Sequence, residues 1–363
     1  MKIEGRSAEK HLKPLLAIAL AASLSPAAPS MQAYANEGSD QKPIEKHEAG
    51  TTASSPDVDG ISLASTPALG EWNKNGTVEW RVDSSGKMTI RPADGRKSGE
   101  LTGIYRGNQG VSVTSISFQG TVIAPSDCSN LFSYRGTLES VDLTGLDVSN
   151  VESMEGMFKE CPSLKKLIIP ADFDTSKVKS MAYMFDGCKS LPSIDFARLG
   201  SPSITDTSFL FRGCKAMDFS NIASFDTSGV RSMGGMFILC NENGTLKPSD
   251  LDTSSVTDMS QMFVSNQASS LSLRGMDTSK VSDMSKMFYG CHAPSIDLEG
   301  IDTSSVTDMS WMFRDCENLS KLDLSPFNTS NVQNMSKMFS GIGVSRLDLR
   351  SFDTRNVTDM SLM

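Results

Sequence analysis

The strongest pattern in the chain is an apolar repeat that recurs every 25 to 27 residues through its C-terminal two-thirds. A phenylalanine marks each copy, and these are Phe132, Phe158, Phe185, Phe211, Phe237, Phe263, Phe288, Phe313 and Phe339. Repeats of this length are typical of solenoids, in which a unit too small to bury its apolar face alone stacks on its neighbours. The spacing therefore predicts a stack of coils.

Each copy contains two apolar periods, and the clearest copy runs from residue 301 to residue 324. The first period has the spacing of one helix face, at Val306, Met309, Met312, Phe313 and Cys316. The second is L-x-x-L-x-L, typical of the strand of a leucine-rich repeat, at Leu319, Leu322 and Leu324. The pattern predicts an α/β solenoid with one parallel strand and one short helix in each coil.

Residues 67–127, which precede the repeats, have a different pattern of apolar and polar side chains. Residues 78–82 and 87–90 alternate apolar and polar side chains around a D-S-S-G turn sequence, which predicts a β-hairpin. Short apolar runs after the hairpin suggest further strands. We therefore expect a small β-rich unit over 67–127 that caps a leucine-rich-repeat solenoid over 128–363.

The N-terminus has the pattern of an export signal. Basic residues up to Lys13 are followed by the apolar run 15–22, and an A-Y-A sequence ending at Ala35 fits a signal-peptidase site. We expect cleavage of residues 1–35 rather than the alternative, a buried first helix. The apolar run is too short to span a bilayer, so no transmembrane segment is expected in the mature chain. Residues 36–66 are polar and poor in large apolar side chains, which predicts a disordered spacer.

Charge and composition exclude two classes of function. The formal net charge is −9 and becomes −11 once residues 1–35 are removed, so the chain repels nucleic-acid phosphates. Only three histidines are present, and no nucleophile-elbow, zinc-protease or phosphate-loop motif occurs. We therefore expect neither nucleic-acid binding nor catalysis, and no cofactor.

The run D-T-S-x-V-x-x-M-S-x-M-F-x-x-C-x-x-L, best preserved over residues 252–263 and 302–319, resembles the repeat of BspA-like leucine-rich-repeat surface proteins. The resemblance covers about residues 130–363. It implies a secreted or wall-attached bacterial protein, and several members are regarded as adhesins, but it implies no particular ligand. The copy over 201–211 departs from the motif. The chain stops in mid-repeat at Met363, so we expect a solenoid truncated at its C-terminus.

The repeat positions also hold most of the cysteines and methionines. Six cysteines follow a repeat phenylalanine by three residues, namely Cys161, Cys188, Cys214, Cys240, Cys291 and Cys316. Isoleucine takes the same position at Ile342, which favours a small core residue over metal binding or disulfides between coils. Cys128 lies outside this column and could be exposed. We interpret the methionine columns as core filling rather than as a soft-metal site.

Two rows of carboxylates are candidate sites. The first stacks in the D-T-S turn, at Asp147, Asp174, Asp226, Asp252, Asp277, Asp302 and Asp353. It could hold Ca²⁺, but Asn328 in the same column favours turn capping by a side-chain oxygen. The second row stands in the middle of L-x-L, at Asp142, Asp195, Asp297, Asp323 and Asp348.

The second row is the predicted binding face. Its side chains point away from the core, because side chains alternate across a strand. Leucine-rich solenoids commonly bind their partners on this sheet face. The alternative is a face that is merely solvated.

Together these features predict a secreted or cell-surface protein that uses a repeat solenoid for adhesion or protein binding. The expected partner is a surface or matrix protein of a host or of another bacterium. The alternative is a structural spacer that projects another module from the cell surface. A binding protein should vary from repeat to repeat on one face, whereas a spacer should be uniform. Tyr183, Trp311, Lys165 and Lys166 stand at variable positions and favour binding.

Overall fold

The computed structural model describes residues 69–101, 112–240, 244 and 246–363. The predicted signal peptide and spacer lie outside the described residues. The strands in the described part are β1 (Asn73–Asn75), β2 (Val78–Val82), β3 (Lys87–Pro92), β4 (Ser98–Glu100), β5 (Ser115–Phe118), β6 (Thr121–Ile123), β7 (Ser140–Asp142), β8 (Leu146–Asp147), β9 (Lys166–Ile168), β10 (Leu271–Ser272) and β11 (Ile296–Asp297). Short 3-10 turns lie at Phe196–Arg198, Ile222–Ser224 and Pro248–Asp250. None of the described residues forms a helix long and apolar enough to cross a membrane.

The predicted β-hairpin opens the fold. β2 and β3 pair antiparallel, with Val82 opposite Met88, and β1 extends the same sheet. β5 then pairs parallel with β3, β7 with β5 and β9 with β7, which gives the strand order β1-β2-β3-β5-β7-β9. A second parallel sheet has the order β4-β6-β8. The β-rich unit and the first coils therefore share their sheets, so that the cap continues directly into the solenoid.

The predicted helix in each coil is wrong, because the corresponding segments in the described part of the chain are successions of turns. An α-helix needs each N–H bonded to the carbonyl four residues back. Here the N–H of Trp311 donates to the carbonyl of Ser336 in the next coil at 2.9 Å, and the N–H of Phe313 to that of Met338 at 3.0 Å. Trp311 and Asp315 also have left-handed backbones, with φ of 60° and 56°, which a right-handed helix excludes. The fold is therefore a β-solenoid.

Parallel pairing between coils is sparse on the L-x-x-L-x-L side and continuous on the turn side. The L-x-x-L-x-L strands persist as β7, β9, β10 and β11, while the coils between β9 and β10 have the 3-10 turns. One of these turns begins at Pro248, whose ring nitrogen cannot donate to a strand ladder. Single parallel bridges join Asp127, Ser153, Ser180, Asp206, Ser232, Asp258, Asp283, Asp308, Asn334 and Asp359 in succession. This ladder keeps successive coils in register.

The core is built from columns of like side chains, one from each coil. The repeat phenylalanines stack face to face: Phe158 and Phe185 lie 5.7 Å apart between ring centroids at 7°, and Phe313 and Phe339 lie 6.0 Å apart at 7°. The methionine columns are buried beside them as far as Met338, which confirms their interpretation as core. Aromatic pairs at such separations stabilise a protein beyond the apolar area that they bury. The phenylalanine column therefore joins each coil to its neighbours.

The D-T-S turns are held by two sets of hydrogen bonds. The carboxylate of Asp302 accepts the backbone N–H of Ser304 at 2.8 Å, and Asn328 accepts that of Ser330 at 3.1 Å. The buried hydroxyl of Thr303 donates to the carbonyl of Asn328 at 2.9 Å and accepts its N–H at 2.8 Å. The capping interpretation of the first Asp row is confirmed, and the threonine ties its turn to the next coil.

All seven cysteines are buried thiols, so the expectation that Cys128 could be exposed is wrong. The thiol of Cys188 lies 3.2 Å from the carbonyl oxygen of Phe158 in the preceding coil, within hydrogen-bonding distance. Cysteine thus offers the column a weak donor as well as a small apolar volume. Burial raises the pKa of Cys161 to about 11 and that of Cys128 to about 12.

Slow labelling of these thiols is expected in the native protein. A pKa two units above that of a free thiol lowers the reactive thiolate fraction about 100-fold, and burial adds a steric barrier. Incubation with iodoacetamide at mildly alkaline pH, followed by mass spectrometry of the peptides containing Cys161, Cys188 and Cys316, measures the rates. Urea-unfolded protein is the control. Labelling of the native protein at the unfolded rate would show that the column is not buried.

Candidate functional site

The predicted binding row of carboxylates is only partly assembled. Asp297, Asp323 and Asp348 occupy equivalent positions on consecutive coils. On β7, Asp142 pairs with an isoleucine of β9 rather than with another acidic residue. Asp195 precedes a 3-10 turn in a coil whose L-x-x-L-x-L segment forms no strand. The row is therefore three residues long, and its two other members are separate.

Hydrogen bonds and arginines engage much of this row. The carboxylates of Asp297, Asp323 and Asp348 each accept the backbone N–H two residues further on. Ion pairs join Arg274 to Asp297 at 3.5 Å, Arg198 to Asp195 at 2.5 Å and Arg350 to Asp348 at 2.5 Å. Hydrogen bonds from the Arg350 side chain and backbone lower the pKa of Asp348 to about 2. The row presents less uncompensated charge than its sequence suggests, and its role in binding stays a prediction.

A second column contains Tyr183 and Trp311, which the sequence already marked as variable positions, but the column as a whole was not recognised from the sequence. It is the x of S-x-M-F, and its backbone is left-handed in every coil, with φ between 54° and 62°. The column consists of Asn130, Gly156, Tyr183, Phe209, Gly235, Gln261, Lys286, Trp311, Lys337 and Leu362. We call this column, together with the residues three positions further on, the turn face.

Large side chains in this column occupy a costly backbone conformation. A left-handed residue other than glycine costs about 1–2 kcal/mol, whereas glycine adopts the conformation freely. Gly156 and Gly235 show that glycine fits the column, yet Tyr183, Phe209 and Trp311 stand there too. Unfavourable backbone conformations of this kind concentrate at binding sites. The turn face is therefore a stronger candidate site than the carboxylate row.

The first aromatic cluster of the turn face surrounds Tyr183. Its ring stacks on Phe209, with centroids 4.7 Å apart at 10°, and the ammonium of Lys159 lies 4.7 Å from the Tyr183 centroid. Arg212 binds the buried carboxylate of Asp186 through two hydrogen bonds of 2.7 and 2.6 Å, and Lys159 approaches the same carboxylate at 4.0 Å. Both cations of this cluster thus share one anionic partner.

A recess of about 430 Å³ opens beside this cluster, at the position where the column has a glycine. Gly156 lines it together with Tyr134, Lys159 and Tyr183. Tyr134 is 62% exposed, one of the most exposed large apolar side chains in the described part of the chain. The recess combines aromatic walls with a few polar groups, as ligand sites commonly do.

The second aromatic cluster surrounds Trp311. Three cations lie over its indole ring, with Arg314 at 4.1 Å, Lys337 at 4.3 Å and Lys286 at 5.2 Å from the ring centroid. Arg314 also lies 3.3 Å from the carboxylate of Asp315. Lys286 and Lys337 form no ion pair with any residue that the structure describes. This cluster therefore holds two positive charges without an anionic partner at contact distance.

The profile of one protein family matches the whole solenoid. It is described as a Mycoplasma protein of unknown function, DUF285, and it matches residues 126–242, 205–299 and 257–363. The chain belongs to the DUF285 family. The β-solenoid and its left-handed column are therefore features of a DUF285 protein. Among curated proteins, none matches the chain significantly.

Solved structures similar to this DUF285 protein are bacterial leucine-rich-repeat proteins. A leucine-rich cell surface protein from Faecalibacterium prausnitzii A2-165 is 14% identical, with 81% of this chain and 95% of that chain covered and a TM-score of 0.29. The T. pallidum leucine-rich-repeat protein is 15% identical, with 71% and 82% covered and a TM-score of 0.24. A leucine-rich-repeat protein from Eubacterium ventriosum ATCC 27560 is 11% identical, with 78% and 98% covered and a TM-score of 0.23. TM-scores this low do not support a transfer of function.

The columns of this DUF285 protein differ sharply in how much they vary. Buried phenylalanine recurs in all nine copies, and methionine or cysteine fills most of the neighbouring core positions. The left-handed column contains eight different residue types in ten positions. The left-handed column is thus far more varied than the buried columns.

Proposed function

We propose that this protein is an exported surface protein that binds a macromolecular partner, and so mediates adhesion, through its turn face. The observation that carries the proposal is the contrast between constant buried columns and the varied turn-face column. A spacer that only projects another module is expected to have a uniform surface. The resemblance of the repeats to those of BspA-like surface proteins supports the same conclusion.

The construction of the turn face suits protein or polymer recognition. Tyrosine, tryptophan and arginine are the side chains most often found at the centres of interfaces, and Tyr183, Trp311 and Arg212 all lie here. Hydrogen bonds to the next coil fix their backbones; the N–H of Tyr183 donates to the carbonyl of Ser208 at 2.9 Å. A face that is ordered before binding loses less entropy when it binds. The partner that we propose is a surface or matrix component of a host or of another bacterium.

Export is the part of the proposal that rests on the N-terminal sequence. Signal-peptidase cleavage after Ala35 should leave Asn36 as the first residue of the mature protein. Edman degradation or N-terminal peptide mass spectrometry of protein recovered from medium or cell wall measures this directly. Recovery of Met1 in exported material would contradict the proposed signal.

The binding face is tested with two multi-site variants of the mature protein. In the turn-face variant, Tyr183→Asn, Phe209→Asn and Trp311→Gln introduce residue types that the same column already holds elsewhere. In the sheet-face variant, the five aspartates of the predicted row become asparagine. Binding is measured to matrix deposited by cultured epithelial cells and to whole bacterial cells, after circular dichroism shows that both variants are folded.

The turn-face variant should bind at least about tenfold more weakly, since central aromatic anchors each contribute a kilocalorie per mole or more. The sheet-face variant should change little, because rim charges mainly alter the association rate. If the turn-face variant binds as well as the wild-type protein and the sheet-face variant loses binding, the binding site is the aspartate row and not the turn face. Absence of binding by the wild-type protein to either surface would favour the spacer.

A further inference from the structure

Three cationic side chains surround Trp311 on an acidic protein. The whole chain has a formal charge of −9, yet Lys286 and Lys337 have no ion-pair partner among the residues that the structure describes. The nearby carboxylates of Asp308 and Asp359 belong to the bridge ladder and accept backbone N–H groups at 2.7 and 2.9 Å. Because neither ammonium group has a contact ion pair with a described residue, both can pair with the anionic groups of a ligand.

The indole ring fixes where these cations lie. Lysine side chains on a surface are ordinarily flexible, and immobilising them costs entropy when a ligand binds. Here the ammonium groups of Lys337 and Lys286 rest 4.3 and 5.2 Å from the Trp311 centroid, and Arg314 covers the same ring at 4.1 Å. Cation–π attraction therefore positions three donors around one residue before any ligand arrives.

The spacing of the cations favours a ligand whose charges repeat along its length. Lys286, Trp311 and Lys337 occupy the same column on three successive coils. Adjacent parallel strands lie about 4.8 Å apart, so the two lysines are attached about 10 Å apart along the solenoid. A linear polyanion lying parallel to the solenoid axis would meet both ammonium groups.

The backbone beneath the cluster argues against an extended peptide. Peptides that bind to sheets add a strand through free backbone groups at an edge. In this column the N–H groups of Lys286, Trp311 and Lys337 already donate to carbonyls of the next coil, at 2.8, 2.9 and 2.8 Å. Recognition here must use side chains alone, which suits a polymer that presents charged substituents rather than a hydrogen-bonding backbone.

We propose that Lys286, Trp311, Arg314 and Lys337 form a binding site for an acidic polysaccharide, a sugar polymer substituted with sulfate or carboxylate groups. This inference rests on the proposed function. It specifies the class of ligand that one part of the turn face binds. The lysines and the arginine supply the charge, and Trp311 holds them in place.

The mature protein is tested against heparin as a sulfated polymer, polygalacturonate as a carboxylated one and dextran as a neutral one. Poly-L-glutamate represents an acidic peptide. We expect heparin and polygalacturonate to bind with an affinity that falls as salt rises, and dextran not to bind. Lys286→Gln with Lys337→Gln should weaken heparin binding at least about tenfold, and Trp311→Gln should weaken it about threefold or more because the cations lose their alignment.

The matched control is Lys165→Gln with Lys166→Gln, which removes the same charge at the start of β9, outside the turn face. It should leave heparin affinity within about twofold. Equal losses in the two double variants would show unspecific charge attraction and overturn the site. Binding of poly-L-glutamate as tightly as heparin would overturn the polysaccharide class in favour of an acidic peptide.

The same variants separate this inference from the proposed function. Matrix adhesion that depends on Tyr183 and Phe209, with no binding of either acidic polymer, would overturn the polysaccharide site alone. Polymer binding that depends on Lys286 and Lys337 supports the site. If matrix adhesion is then unchanged by every turn-face substitution, the proposed adhesion function fails although the site stands.

Discussion

Replacement of Phe313 by alanine is expected to lower the free energy of unfolding by about 3–5 kcal/mol, the usual cost of removing a fully buried phenylalanine. Its side chain is 0% exposed. The ring stacks on Phe288 at 5.3 Å and on Phe339 at 6.0 Å, so the substitution removes contacts with both neighbouring coils as well as leaving a cavity. Urea denaturation followed by tryptophan fluorescence measures the loss, since Trp311 lies two residues away.

The damage should be local, because each coil of a solenoid contacts only its neighbours. Hydrogen exchange by mass spectrometry should show faster exchange in the coils of Phe288 and Phe339, and little change around Phe158. Tyr134→Ala is the matched control, an aromatic that is 62% exposed, and it should cost less than about 0.5 kcal/mol. Unchanged exchange near Phe288 and Phe339 would contradict the stacking of the coils.

Replacement of Thr303 by valine, which is nearly the same shape, is expected to cost about 1–3 kcal/mol. The hydroxyl of Thr303 is buried and both donates to and accepts from the backbone of Asn328, so its removal leaves a carbonyl and an N–H without their partner. The midpoint of urea unfolding measures the loss. The same pairing joins Thr278 to Asp302 and Thr329 to Asp353, and those threonines should respond alike.

Thr253 is a built-in control for this prediction. It occupies the same column and is 2% exposed, but its hydroxyl has no hydrogen-bond partner among the residues that the structure describes. Thr253→Val removes a buried polar atom without breaking a bond, so it should be neutral or slightly stabilising. Equal destabilisation by Thr253→Val and Thr303→Val would show that the loss comes from packing and not from the coil-to-coil hydrogen bonds.

The buried half of each coil could be predicted from sequence because its signal is repetition. Phenylalanine, methionine and cysteine recur at fixed positions, and the structure buries these columns as expected. The hairpin β2-β3 could be predicted equally well, because alternating apolar and polar side chains on both sides of a D-S-S-G turn are typical of a β-hairpin. In both cases local spacing alone determines which side chains face inward.

The prediction of a helix in each coil was wrong because the spacing of apolar residues does not distinguish a helix from a succession of turns. Val306, Met309 and Phe313 are three and four residues apart in either structure. The difference lies in where the N–H groups donate, and that depends on a neighbouring coil. A usable signal was present: Gly156 and Gly235 stand in the left-handed column of their coils, and glycine in the interior of a helix is unfavourable.

The candidate site was only partly predictable for a related reason. Asp297, Asp323 and Asp348 fall in register because their coils have similar lengths. The coil of Asp195 has a 3-10 turn where a strand was expected, and the neighbour of Asp142 on β9 is apolar. Tyr183 and Trp311 stood out as variable positions, but the turn face as a whole was not recognised, because its column has no shared residue type. Its members share only a backbone angle.

The left-handed backbone at Trp311 and its bond to the next coil are what place the varied side chains on one face. Nuclear Overhauser effects in the isotopically labelled mature protein test this arrangement most directly. We expect contacts from the Trp311 amide to protons of the coil containing Ser336, and from the Phe313 ring to the Phe339 ring. A continuous series of i to i+3 contacts from Val306 to Cys316, with no contact to the Ser336 coil, would mean a helix and would contradict the turn face.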